Sequence, residues 1–150
     1  MAGLKLEELT AQTIGAAHSL TLKPGQDEFI KAETFIALEQ QLDPAGSWPR
    51  VVRDGDEVVG YLMATFDPHA SEDYLRAALW KLIVRADAQG KGVGRFAVTA
   101  FADEARKLGL ERVTAVWPAD QDGPAAYFEK IGFVEIGQTP YGEKIGAHAL

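Results

Sequence analysis

The chain changes its hydrophobic period several times, and each change marks an element. Leu4, Leu6 and Leu9 bracket polar residues in a short segment able to open a sheet, and Thr10 to Leu20 reads as a short helix or helical turn. After the breaker Pro24-Gly25, Asp27 is placed to cap a helix running to about Leu42. Ile30, Thr34, Phe35, Leu38 and Leu42 form its apolar stripe, and Glu28, Lys31 and Glu39 lie on the opposite face. Asp43-Pro44-Ala45-Gly46-Ser47 breaks that helix. Trp48 to Arg53 and Glu57 to Phe66 follow as two strands around Asp54-Gly55-Asp56, a hairpin signal.

Beyond the polar loop Asp67 to Glu72, Tyr74 to Val84 is a long strand-like run. Its end, Leu82-Ile83-Val84, is apolar on both faces, as a central strand requires. A glycine-rich turn, Arg85 to Gly94, leads into a helix ending near Leu108, with Val93, Ala97, Ala100, Phe101 and Leu108 facing inward. Gly109 suits the left-handed position just past that helix, and Arg106 and Lys107 suit the negative end of its dipole. Arg112 to Trp117 is a further strand, so Tyr74 to Trp117 predicts a right-handed strand-helix-strand unit. Pro124 opens a short helix to Ile131, which Gly132 stops, and Phe133 to Gln138 and Lys144 to Leu150 close the chain as strands.

With no linker, repeat or low-complexity tract, the 150 residues are expected to form one domain, 1–150. A composition of 47% hydrophobic and 25% charged residues excludes a disordered or collagen-like chain. The formal net charge of -7 argues against nucleic acid as a partner, because phosphate binding needs a basic patch; it suits a cationic substrate, although an acidic surface also serves solubility. The absence of cysteine removes disulfides, thiolate metal sites and an acyl-cysteine intermediate together. Met1 to Glu8 lacks a signal-peptide pattern, and no apolar run approaches the roughly 20 residues that cross a bilayer, so a cytoplasmic protein without membrane contact is expected. His18, His69 and His148 are scattered, and no metal site is expected.

The candidate chemistry lies in the turn. Gln89-Gly90-Lys91-Gly92-Val93-Gly94, between a strand end and a helix, is an anion cradle: glycines let backbone N–H groups converge and the helix terminus adds positive potential, with Lys91 and Arg95 supplying charge. It lacks the Lys-Ser/Thr ending of a Walker loop, and Arg95 stands where a dinucleotide fingerprint needs its third glycine. A turn whose glycines serve packing alone is the other reading.

Gln89-x-x-Gly92-x-Gly94 resembles the pyrophosphate loop of the GNAT N-acetyltransferase family. Some thirty residues later, Asp122-Gly123-Pro124-Ala125-Ala126-Tyr127-Phe128-Glu129-Lys130-Ile131-Gly132-Phe133 is similar to that family's tyrosine-bearing helix followed by Gly-Phe. Leu22 to Ile30, Leu79-Trp80-Lys81-Leu82-Ile83-Val84 and Gly142-Glu143-Lys144-Ile145 resemble a subgroup described as spermine/spermidine acetyltransferases. The resemblance implies an α/β acyl-CoA N-acyltransferase fold: a mixed, mostly antiparallel sheet flanked by helices, splayed where the strand ending at Val84 parts from the strand beginning at Arg112.

It also implies transfer from acetyl-CoA to a primary amine, a polyamine or other small cationic amine, by direct attack in a ternary complex, with no metal. Homodimers are common among proteins of this kind. Acetylation of a protein amino group, or an acyl-CoA-binding module without turnover, are the alternatives. Implied cofactor-binding positions are the backbone of Leu82, Ile83 and Val84, the loop Gln89, Gly90, Lys91, Gly92, Val93, Gly94 and Arg95, and Gln121 and Phe128. An alkyl ammonium has a pKa near 10, so a proton acceptor is needed. Glu33, Asp67, Glu72 and Asp73 are its acidic candidates, with Glu33 and Asp67 taken as substrate-binding. The family's acid tyrosine falls at Phe128. Tyr127 is therefore the candidate catalytic residue if the helix is shifted; water or Tyr141 as donor, or unassisted departure of the thiolate, are the other routes.

Overall fold

The computed structural model describes residues 3–18, 20, 46–117, 127–140 and 142–150. The helix expected from Asp27 to Leu42 and the start of the helix expected at Pro124 lie outside these residues. The strands are β1 (Leu4–Glu8), β2 (Ser47–Asp54), β3 (Glu57–Phe66), β4 (Ala77–Val84), β5 (Arg112–Trp117), β6 (Val134–Gln138) and β7 (Lys144–Ala149). The helices are α1 (Ile14–His18), α2 (Val93–Lys107) and α3, of which residues 127–130 are described. All seven strands form one sheet in the order β1-β2-β3-β4-β5-β7-β6, antiparallel except for the β4–β5 pair. This is the mixed, mostly antiparallel sheet expected from the sequence.

Local chemistry sets the connections. Gly55, at φ +62, takes the first position of the two-residue β2–β3 turn, where a tight hairpin demands positive φ. α2 and α3 are each closed by a Schellman motif. At the end of α2 the Gly109 N–H donates to Arg106 C=O at 3.0 Å and the Leu110 N–H to Ala105 C=O at 3.1 Å. At the end of α3 the Gly132 N–H donates to Glu129 C=O at 3.2 Å and the Phe133 N–H to Phe128 C=O at 2.9 Å. Gly109 and Gly132 have φ of +78 and +108, and in both motifs an apolar residue after the glycine packs back on the helix.

The sheet buries two different faces. On one, α2 lays Val93, Ala97, Val98, Phe101 and Ala105 against Val52, Leu62, Ala64, Leu79, Val113 and Ala115, with Leu82 and Val84 at the margin. On the other, Val51 and Tyr61 meet Ala17 of α1, and Val116 and Ile145 meet Tyr74 and Leu75. Two expectations are corrected here. Leu108 is 44% exposed: α2 ends at Lys107, Leu108 turns off the stripe at φ -85, ψ 0, and Leu110 packs on the core in its stead. Tyr74 does not begin the strand. Asp73–Leu75 is a 3-10 turn, and Thr114 Oγ1 donates to the Tyr74 and Ala77 carbonyls at 2.7 and 3.1 Å, so β4 starts only at Ala77.

Candidate active site

Parallel strands β4 and β5 share only two residue pairs, Ala78 with Thr114 and Leu79 with Ala115. Beyond them the strands part. β4 carries one extra residue there: Met63 pairs with Lys81 and Ala64 with Leu79, which leaves Trp80 as a bulge that re-aims the strand. Leu82, Ile83 and Val84 continue to pair with β3 but have no ladder partner on the β5 side. The Arg85 N–H donates to Val59 C=O of β3 at 2.8 Å, so alternation along the strand turns the backbone groups of Leu82 and Val84 toward β5. These three residues are only half-buried although they lie in the middle strand of seven.

The glycine loop sits at the mouth of this gap. Arg85 bridges Asp87 at 2.5 Å and Glu57 at 3.3 Å, which fixes the turn Ala86–Ala88. Its hydrogen bond lowers the Asp87 pKa and raises its own. Gln89 Nε2 then donates to Val84 C=O at 2.9 Å, tying the loop to the strand end. Gly90 and Gly92 adopt φ of +75 and +90, and a Cβ at either would meet nothing within 4 Å. Gly92 is the N-cap of α2 with no side-chain cap, so the first N–H groups of the helix are left to an outside acceptor; Lys91 and Arg95 stand exposed beside them. α2 is drawn close to the sheet because Gly60 has no side chain: its Cβ would stand 3.0 Å from Val93 Cγ1. Strand N–H groups without a ladder partner at one end and a helix N-terminus at the other fit a long ligand carrying amide and phosphate groups, as acetyl-CoA does.

Tyr127 and Phe128 point in different directions. The Tyr127 hydroxyl rests on Gly94, where any Cβ would collide with it. Its ring is exposed on one side, yet the phenolic end is tucked against α2; this desolvation raises the pKa, and the nearby Arg95 charge opposes the rise. Phe128 is buried, stacked on Trp117 at 5.1 Å and edge-on to Phe133 at 5.7 Å. Trp117 ends β5. Its ring is close enough to β7 that a Cβ on Gly146 would come within 2.5 Å of it, and its buried Nε1 has no hydrogen-bond partner among the described residues. Position 128 thus faces the end of β5, and Tyr127 is brought to the glycine loop. Gln121 and Glu33 lie outside the described residues.

The acidic candidates fall at the closed end of the gap. The Asp67 N–H donates to Arg76 C=O at 2.9 Å, next to the Phe66–Ala77 pair that begins β4, and Glu72 is exposed near the same end. Asp73 binds Arg112 Nε at 2.6 Å and Arg76 at 3.5 Å, a structural clamp between the first residues of β4 and β5. None of these three reaches the parted strands. The carboxyl that does lie at the open end is Glu143, immediately before β7 and 1% exposed. The preceding turn-former Gly142, at φ +89, was the available sign that the chain folds back there.

A sheet parted between two parallel strands, with a glycine loop and helix N-terminus at the parting, defines an acyl-CoA N-acyltransferase fold. The profile of the acetyltransferase (GNAT) family matches residues 15–133. The chain is 30% identical over 122 residues to the L-amino acid N-acyltransferase MnaT of Escherichia coli, which covers 80% of this chain and 70% of that protein. It is similar in structure to an acetyltransferase from Thermus thermophilus, with 26% identity, a TM-score of 0.73 and 99% and 97% of the two chains covered. The PaiA N-acetyltransferase of Thermoplasma acidophilum, solved in complex with coenzyme A, shares the fold at a TM-score of 0.72 over 99% of each chain with 11% identity. The chain belongs to the acetyltransferase (GNAT) family and is an N-acetyltransferase.

Proposed function

We propose that the protein transfers the acetyl group of acetyl-CoA to the primary amine of a small cationic molecule, by direct attack of the amine in a ternary complex. The observation that carries this reading is the pair of features on one line: backbone groups of Leu82 and Val84 turned into the gap, and the Gly90–Gly94 loop at its mouth. Loop N–H groups, Lys91 and Arg95 hold the pyrophosphate, and the strand edge pairs with the amides of the pantetheine arm. A backbone N–H of that edge polarises the thioester oxygen as charge develops there. Holding amine and thioester together supplies much of the acceleration, and no side-chain nucleophile is required.

A polyamine is the favoured acceptor, on the net charge of -7 and the subgroup resemblance. The L-amino acid N-acyltransferase named above makes an α-amino group the other acceptor to test. The test has two parts. Millimolar acetyl-CoA should raise the melting temperature, since a ligand at about 100 times its Kd stabilises the native state by roughly 2.7 kcal/mol. Thiol release should then depend on an added amine, in a panel of polyamines, L-amino acids and peptides. A melting temperature unmoved by acetyl-CoA refutes the site; stabilisation without amine-dependent thiol release leaves a binding module.

A further inference from the structure

Glu143 poses a problem that the reaction so far does not answer. Its side chain is 1% exposed; Oε2 accepts a hydrogen bond from Thr139 Oγ1 at 2.7 Å, and Oε1 has no partner among the described residues. No described Lys or Arg lies within ion-pairing distance of it; the neighbouring Lys144 is paired with Glu135 at 3.3 Å. Taking a carboxylate out of water is costly by several kcal/mol unless charge or hydrogen bonds offset it, and one neutral hydroxyl offsets little. The residue is nevertheless held firmly. The Thr139 N–H donates to Glu143 C=O at 2.9 Å and the Gly142 N–H to Thr139 C=O at 3.0 Å, so the β6–β7 turn fixes the backbone that carries it.

Its place in the sheet says what it serves. Lys144 pairs with Trp117, the last residue of β5, so Glu143 lies just past the C-terminal end of β5, where β4 and β5 have parted. Strand alternation puts Glu143 on the side of Ile145, whose cluster includes Val116, Tyr74 and Leu75, on the face opposite α2. The glycine loop and α2 lie on the other face, so a cofactor held there and a group held by Glu143 would meet across the gap from opposite sides.

We propose that Glu143 recognises the acceptor: its free Oε1 accepts a hydrogen bond from, and pairs its charge with, an ammonium group of the incoming polyamine other than the nitrogen that is acetylated, which attacks as the neutral amine. An ammonium fits because it brings the positive charge and the N–H donor that the buried carboxylate lacks among the described residues. This rests on the reading of the protein as an amine acetyltransferase, and the experiment separates the two.

Glu143→Gln keeps the shape and an acceptor for Thr139 while removing the charge. With spermidine as the probe, the variant should raise KM at least tenfold, with kcat within about threefold and acetyl-CoA affinity within about twofold of the parent, while KM for n-butylamine, which has no second ammonium, should stay within about threefold. It should also melt no lower than the parent, because an unpaired buried charge has been removed, whereas a merely structural carboxylate would give a lower melting temperature and an unchanged KM. An unchanged KM for spermidine, or a kcat collapse at constant KM, overturns the assignment. If the parent releases no thiol with any amine, calorimetric titration of spermidine into the coenzyme A complex decides. Binding that is lost in Glu143→Gln upholds Glu143 while the transferase reading fails; binding that is equal in both, or absent from both, overturns Glu143. If Glu143→Gln shows no melting shift with coenzyme A and is thus misfolded, Glu143→Asp, which withdraws the carboxylate by one methylene, is read by the same criterion on KM.

Discussion

Substitutions at Gly92 separate backbone strain from charge at the proposed anion site. Gly92 sits at φ +90 and ψ 5 as the N-cap of α2, and its Cβ would meet nothing within 4 Å. Gly92→Ala therefore introduces no clash, only the roughly 1–2 kcal/mol of a non-glycine residue in the left-handed region. At about 2–4 °C per kcal/mol for a chain of this size, its melting temperature should fall by roughly 2–8 °C. Gly92→Asp meets less strain, since Asp visits this region more readily, and a carboxylate at a helix N-terminus gains about 0.3–1 kcal/mol from the dipole. It should melt no lower than the Ala variant.

Coenzyme A affinity should follow the opposite order. A carboxylate about 5 Å from one phosphate charge, at an effective dielectric constant near 20, adds roughly 3 kcal/mol of repulsion. At about 1.4 kcal/mol per decade, that weakens Kd by on the order of a hundredfold relative to Gly92→Ala. Calorimetric titration of coenzyme A into both variants, with a parallel melt, reads the two orders, and approximately 1 M salt should narrow the gap in Kd. A Gly92→Asp protein that binds coenzyme A within about threefold of Gly92→Ala would refute the anion cradle and return the loop to a packing role.

Two further outcomes concern α3. Tyr127→Phe should leave kcat within about threefold, because the hydroxyl lies on Gly94, while Phe128→Tyr should leave acetyl-CoA affinity nearly unchanged and raise kcat toward the 10²-fold scale of general acid catalysis; steady-state thiol release checks both, and a collapse of kcat in Tyr127→Phe contradicts the placement. The raised pKa of Tyr127 also carries a stability consequence. Below the unfolded phenol value of about 10 both states keep the proton and no difference arises; as pH climbs past it the unfolded chain ionises first, so stability falls until the folded value is reached. Urea midpoints between about pH 9 and 11 should fall less steeply in Tyr127→Phe than in the parent, and parallel curves would refute the shift.

Many of the strands and turns were legible because these elements announce themselves locally. The Asp54-Gly55-Asp56 turn, the α2 stripe ending at Gly109 and the glycine loop each rest on chemistry within a few residues. The extent of β4–β5 pairing was not of that kind: Trp80 looks like any strand residue until β3 shows it to be extra. The burial of Glu143, bonded to Thr139 across the β6–β7 turn, likewise has no local signal in Gly142-Glu143-Lys144. The directions of Tyr127 and Phe128 were also accessible from the sequence. Gly132-Phe133 specifies a Schellman end, and that motif brings the residue five before its apolar member, Phe128, into contact with it.

The two paired residues of β4 and β5 have a mechanical meaning as well. The sheet is in effect two panels, β1 to β4 and β5-β7-β6, and the strongest polar links between their adjoining strands gather at one end: Thr114 to Tyr74 and Ala77, and Arg112 to Asp73. Beyond that end the panels are held by the packing of α2 on both, with no ladder hydrogen bond between β4 and β5 to fix the angle. Amides near Leu82 and Val84 should then exchange with solvent faster than those near Leu79, and a ligand lying between the panels should slow them by acting as a wedge that fixes the angle.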